Sequence, residues 1–244
     1  MSVDIFQSFF EFIREIEQWD KSCFLQLNAL HNDFFDGFMF WITDKFVWIP
    51  LYISIIYVII KNKKRETLLI AIGIILTIVF ADQFASGFCK PLFERLRPSH
   101  DPSIDLLVHT VRGDKGDLYG FISSHAANTF GLAMFTALLF KNTWYSFMIF
   151  MWAILNSYSR IYLGVHFPID ILFGALSGVF IAWMFYALYL LLKKKLPQYR
   201  YSIHKTNIRT NVDYPQKDLR IVFLTMLTTL FFIMLFASKN IFAY

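Results

Sequence analysis

Residues 67–98 read TLLIAIGIILTIVFADQFASGFCKPLFERLRP. A bilayer core about 30 Å thick is crossed by roughly 20 apolar residues in a helix. Residues 67–89 meet that need and run directly into Lys90, with Arg97-Pro98 shortly after. A buried helix of a water-soluble protein could be as apolar, but the remainder of the chain excludes that reading. Hydrophobic residues make up 57% of the 244 and charged residues only 17%, against about a quarter in soluble domains. The 29 phenylalanines alone exceed what one small core could hide. The sequence is that of an integral membrane protein.

Outward from this stretch, apolar runs at 38–60, 123–140, 143–158, 168–192 and 221–236 bring the expected spans to about six. Lys141-Asn142 joins the third and fourth as a tight helical hairpin. The fold expected is all-α, a polytopic helix bundle. Orientation follows from the basic loops. Lys61, Lys63, Lys64 and Arg65 follow the first span, and Lys141 sits in the hairpin turn. Lys193, Lys194, Lys195, Arg200, Lys205, Arg209, Lys217 and Arg220 follow the fifth. All three connections can be cytoplasmic together. The 90–122 and 159–167 loops and both termini then face outside. The net charge of +5 thus reports topology rather than nucleic-acid binding. The start of the chain lacks the order of a cleavable signal peptide. Cys23 and Cys89 are too few and too far apart for a disulfide framework.

Ahead of the first span, Ile5, Phe9, Phe12, Ile13 and Ile16 recur at helical spacing among Asp4, Glu11, Arg14, Glu15 and Glu17. Such a helix can lie on the membrane surface or pack against the bundle, and both readings stand.

The two outward loops gather cations and histidines at span ends: Lys90 and Arg97; Ser123-Ser124-His125; Ser159-Arg160, then His166 and Asp170. Helix ends at one depth can converge on one site. Three cations favour phosphate, which guanidinium groups bind through paired hydrogen bonds. A helix N-terminus at 123–125 adds backbone N–H donors and a dipole suited to an anion, although either serine could simply cap that helix. His166 and Asp170, four apart, share a helical face. An aspartate there can fix the imidazole tautomer and stabilise its positive charge after attack. A metal held by His125, His166 and Asp170 is the rival, disfavoured by three neighbouring cations. Taken singly, interfacial His and Arg could also just snorkel to headgroups.

Lys90-x6-Arg97-Pro98, Ser123-Ser124-His125 and Ser159-Arg160-x5-His166-x3-Asp170 together resemble the three-part signature of the type-2 phosphatidic acid phosphatase family, over about residues 34–190. The resemblance implies a membrane helix bundle with a metal-free site and no cofactor. His166 would be the nucleophile, forming a phosphohistidine, and Asp170 would orient it. His125 would protonate the leaving oxygen and then activate water. Lys90, Arg97 and Arg160 would hold the phosphoryl oxygens, with Ser123 and Ser124 beside them. The family's second motif usually reads Pro-Ser-Gly-His. Here Ile122-Ser123-Ser124-His125 replaces the glycine, which bears on how closely the backbone approaches phosphate. The amphipathic segment replaces an additional early span, an arrangement similar to the bacitracin-resistance type of undecaprenyl-diphosphate phosphatase.

On this reading residues 1–33 are an N-terminal amphipathic segment, 34–192 the phosphatase core, 193–220 a basic cytoplasmic linker and 221–244 an additional span. The expected substrate is a lipid phosphate or diphosphate in the outer leaflet of a bacterial inner membrane. Undecaprenyl diphosphate comes first, then lipid A, then phosphatidylglycerophosphate. Asp82 and Asn128 lie inside spans, where polar groups are costly. Asp82 either supports the cationic site, Asn128 or Asn156 at second hand, or makes a structural hydrogen bond. With Asn156, these residues also suit a rival of another class, an anion transporter. His100 and His109 belong either to a solvated loop or to a lid, and His31 and His204 have no chemical context.

Overall fold

The computed structural model describes residues 2–196 and 214–240. Arg200, His204, Lys205 and Arg209 of the basic linker lie outside them. The architecture is all-α: α1 (Ser2–Asn28), α2 (Asp33–Thr43), α3 (Ile49–Asn62), α4 (Thr67–Phe93), α5 (Ser124–Phe140), α6 (Thr143–Tyr162), α7 (Pro168–Lys195) and α8 (Gln216–Asn240). Three helices, Thr67–Phe93, Pro168–Lys195 and Gln216–Ser238, are long and apolar enough by themselves to cross a membrane. Large side chains such as Leu68, Ile75, Phe88, Leu176 and Phe180 point outward and stay exposed. An apolar exterior this extensive requires a lipid solvent.

The expected first span, 38–60, is not one helix. It breaks between Thr43 and Ile49, where Asp44 Oδ1 accepts from the Phe46 N–H at 2.8 Å and turns the chain. Trp48 plugs the break: it is fully buried, and its indole N–H donates to the Ile42 carbonyl at 2.8 Å. The break leaves Thr43 half-buried and sets Lys45, though exposed, in the lining of a cavity between the helices. Inside α4, Gln83–Cys89 adopts π geometry immediately before Lys90, a feature frequent at functional sites.

The hairpin of α5 and α6 turns as expected. Lys141 ends α5 with φ 49°, and Asn142 caps α6 by accepting from the Tyr145 N–H at 2.9 Å. The closest packing in the bundle is between α5 and α7. A Cβ on Gly178 would fall 2.1 Å from the Ala127 carbonyl oxygen, and one on Gly174 would fall 2.5 Å from that of Ser123. Small residues four apart let backbones approach, as in membrane helix pairs generally. This contact sets the start of α5 against the start of α7.

α1 settles the open question about the amphipathic helix for its C-terminal half, which packs on the bundle. Phe24 is fully buried with Ile104, Ile161 and Phe167. Asn28 donates to the carbonyls of His109 (3.0 Å), Ile161 (3.3 Å) and Tyr162 (2.8 Å) and accepts from the His109 N–H. At the far end, α8 packs on α2 and α3. Lys61 pairs with Asp218 at 2.8 Å, and buried Glu66 accepts from Tyr189 (2.6 Å) and meets Lys193 (2.9 Å).

Candidate active site

The loop after α4 is tied at its base. Arg97 N–H donates to the Leu118 carbonyl (3.1 Å) and Gly120 N–H to the Arg95 carbonyl (2.8 Å). This short extended pairing holds Arg95 and Arg97 in fixed directions. Arg97 is 4% exposed and donates to the carbonyls of Tyr119 (3.2 Å) and Val165 (3.3 Å). Among the described residues its one carboxylate contact is the exposed Asp117, 3.5 Å away. Arg160 donates from Nη1 to Thr43 Oγ1 at 2.9 Å, and its Nε is buried without a partner. Lys90 is half-buried at the end of the π stretch.

His166 sits in the turn between α6 and α7, 2% exposed. Its Nδ1 lies 3.4 Å from Asp170 Oδ2, in an orientation that does not make a hydrogen bond. Burial, then Arg97, Arg160 and Lys90, push its pKa well below the ordinary imidazole value, so the ring is neutral and keeps a lone pair at neutral pH. Asp170, fully buried, accepts the Phe167 N–H on Oδ2 at 2.9 Å, and its own carbonyl accepts the Ser123 N–H at 3.0 Å. That last bond joins the start of α7 to the start of α5. Ser123 caps α5, its Oγ accepting from the Ala126 N–H at 3.3 Å, and Ser124 follows as the first helical residue, half-buried.

His125 Nε2 lies 3.5 Å from Thr43 Oγ1. From His125 a cavity of about 350 Å³ runs between α3, α4, α5 and α6. Tyr52, Ile55, Ile56, Ile74 and Leu132 line it, with Lys45 and Asn128 among the few polar groups. Asn128 donates to Asp82 Oδ1 at 3.3 Å, which ties the intramembrane carboxylate to the cleft wall three residues past His125. Among the described residues no group of three or more His, Cys, Asp or Glu side chains is placed to hold a metal ion. Cys23 and Cys89 are both free.

The expected residues therefore gather: Lys90, Arg97, Arg160 and His125 near His166, with Asp170 behind it and Ser123 bonded to Asp170 through the backbone. The outer loop is exposed over residues 112–118, as a solvated loop would be, but its His109 is tied down. His109 stacks on His31 with centroids 3.8 Å apart and pairs with Asp36 at 3.0 Å. Sequence reasoning missed three residues at the site. Arg95 binds Asp170 Oδ1 at 2.7 Å and Asp20 Oδ2 at 2.6 Å, and Thr43 stands between Arg160 and His125.

Residues 67–194 match the PAP2 superfamily. The chain is 45% identical over 179 residues to a lipid A 4'-phosphatase of Bacteroides thetaiotaomicron, covering 72% of this chain and 78% of that one. It is 29% identical over 140 residues to an undecaprenyl-diphosphatase of Sulfolobus acidocaldarius, covering 57% and 62%. Its fold resembles the crystal structure of a PAP2-type phosphatidylglycerolphosphate phosphatase of Bacillus subtilis. The TM-score is 0.56 at 21% identity, over 74% of this chain and 89% of that one. With the family matched across the helices that build the site, the chain belongs to the PAP2 superfamily and is a membrane lipid phosphatase.

Proposed function

We propose that the protein removes the 4'-phosphate from lipid A, working at the outer leaflet of a bacterial inner membrane through a phosphohistidine at His166 and without a metal. The observation that carries this reading is the cation-ringed His166 beside an apolar cleft that starts at His125, in a chain 45% identical to a lipid A 4'-phosphatase. The cleft suits a lipid whose phosphate reaches the cations. The identity favours lipid A over undecaprenyl diphosphate, the first choice from sequence.

With Nδ1 directed to Asp170, Nε2 of His166 is the atom left to attack phosphorus. As the N–P bond forms, the ester P–O bond breaks and His125 gives its proton to the departing sugar oxygen. Lys90, Arg97 and Arg160 neutralise charge on the equatorial oxygens, with the N–H groups at the start of α5 alongside. Asp170 balances the charge on the phosphorylated ring. His125, now neutral, takes a proton from water, which attacks phosphorus, releases inorganic phosphate and restores His166.

Undecaprenyl diphosphate remains the second reading for one reason. Lys45 shares the cleft wall with His125, a cation on the leaving-group side. The deciding experiment incubates purified protein in EDTA with bis-phosphorylated lipid A, the 4'-dephosphorylated lipid and undecaprenyl diphosphate, and measures inorganic phosphate. Release from the first substrate alone is expected. Release from undecaprenyl diphosphate alone would replace the lipid A assignment, and release from none would favour the transporter reading.

A further inference from the structure

Arg95 lies two residues before the phosphate-binding Arg97 yet faces away from it. Its guanidinium spans two carboxylates that are both 0% exposed, Asp170 at the site and Asp20 on α1. It also stacks 4.4 Å over the Phe167 ring, and Phe24 of α1 meets that ring edge-on at 5.4 Å. Asp20 uses its other oxygen to accept the Ile169 N–H at 3.0 Å. Every oxygen of the two carboxylates is thus assigned. Asp170 presents Oδ1 to Arg95 and Oδ2 to the Phe167 N–H and to His166.

We propose that Arg95 and Asp20 are positioning residues for phosphoryl transfer: Asp20 holds the Arg95 fork, and the fork fixes Asp170 so that Oδ2 faces His166. The proposal rests on His166 being the nucleophile, as argued under Proposed function. Two considerations separate it from a merely structural ion pair. First, a buried carboxylate beside Arg97 would otherwise pair with the cation meant for phosphate. Arg95 takes up that charge and leaves Arg97 with only the 3.5 Å contact to exposed Asp117. Second, α1 is already anchored by Phe24 and the Asn28 hydrogen bonds, so docking the helix does not require Asp20. A consequence is that α1, outside residues 67–194 of the family match, completes the catalytic apparatus.

The test uses purified full-length protein in detergent, with para-nitrophenyl phosphate and dihexanoyl phosphatidic acid in parallel, so it does not depend on the lipid assignment. Asp20→Asn keeps the shape and an acceptor for the Ile169 N–H but removes the charge. Arg95→Lys keeps a cation and loses the fork. Each is expected to lower kcat by about 10- to 100-fold, as small misplacements of a reacting group do. KM and competitive inhibition by inorganic phosphate should stay within about threefold, because ground-state phosphate binding is untouched. Wild-type kcat in both variants overturns the proposal. So does a fall in kcat matched by lost phosphate inhibition, which marks general collapse of the site. If Asp20→Asn does not fold, Arg95→Lys decides; if neither folds, the chain of charges is structural and the proposal fails. His166→Ala is run beside them. Activity in that variant removes the nucleophile assignment, whereas an inactive His166→Ala with unaffected Asp20→Asn and Arg95→Lys removes only this inference.

Discussion

The two histidines of the site live in unlike surroundings. His166 is 2% exposed in a turn whose neighbours are fixed on every side: Asp170 behind it, Arg95 and Asp20 behind Asp170, and the Ser123–Asp170 backbone bond beside it. His125 stands at the head of an apolar cleft, and among the described residues the one hydrogen-bond contact of its ring is a 3.5 Å approach to Thr43. A nucleophile must be aimed before it reacts, since little of its attack geometry can be corrected later. An acid/base group must meet a leaving oxygen and then a water, and it gains from looser tethering. The difference predicts that damage near His166 costs more than damage near His125.

The largest effect expected is at His166, the proposed nucleophile. His166→Ala abolishes phosphate release while leaving the far-ultraviolet circular dichroism and melting temperature of the detergent-solubilised protein unchanged. Any turnover matching wild type breaks the comparison at its base. His125→Ala comes next, with kcat down by about 10²- to 10⁴-fold, the range for a lost acid/base group. The loss should shrink for the first half-reaction with para-nitrophenyl phosphate, whose leaving group needs no proton. A stopped-flow burst of nitrophenolate measures this, and a burst slowed as much as lipid turnover would deny His125 its acid role.

A smaller effect is expected at Thr43. Thr43→Val removes the hydroxyl shared by Arg160 and His125 and should lower kcat/KM by about three- to tenfold, the order of one lost hydrogen bond. A loss as great as that of His125→Ala would show that the His125 side is as rigidly built as the His166 side. A pH measurement sharpens the contrast without changing turnover. With the folded-state pKa of His166 depressed below 6.5, protonation of this ring, which would block attack, begins only at lower pH. NMR of ring-labelled histidine, assigned by comparison with His166→Ala, should show His166 still neutral at pH 6.5 in the phosphate-free protein. A ring already protonated there would mean that the surrounding cations do not press on it.

The parts of this site that could be read from sequence were those with fixed local spacing. Lys90, Arg97, His125, Arg160, His166 and Asp170 sit at intervals that survive folding, and the structure gathers them. Asp20 and Arg95 carried no such mark. Asp20 is one carboxylate in an acid-rich amphipathic segment, and its partners lie 75 and 149 residues away. Whether Arg95 or Arg97 would face the phosphate depends on the left-handed turn at Glu94, φ 45°, which periodicity does not reveal. The break at 44–48 did leave a signal: Asp44 and Lys45 stand inside a stretch otherwise fit to be one span. A charged pair at that depth costs too much to face lipid and is better spent lining a site. The placement of α1 was undecided in the sequence because its apolar stripe suits a membrane surface and a protein surface equally.

The central claim is a covalent phosphoenzyme at His166, and rapid quench tests it most directly. Protein is mixed with ³²P-labelled lipid A and stopped in alkali within the first turnover, then digested for mass spectrometry. An acid-labile phosphate on the peptide carrying His166, formed and lost at rates that account for turnover and absent from His166→Ala, is the result expected. Phosphate on another residue, or full turnover with no phosphoenzyme at any time, would contradict the account.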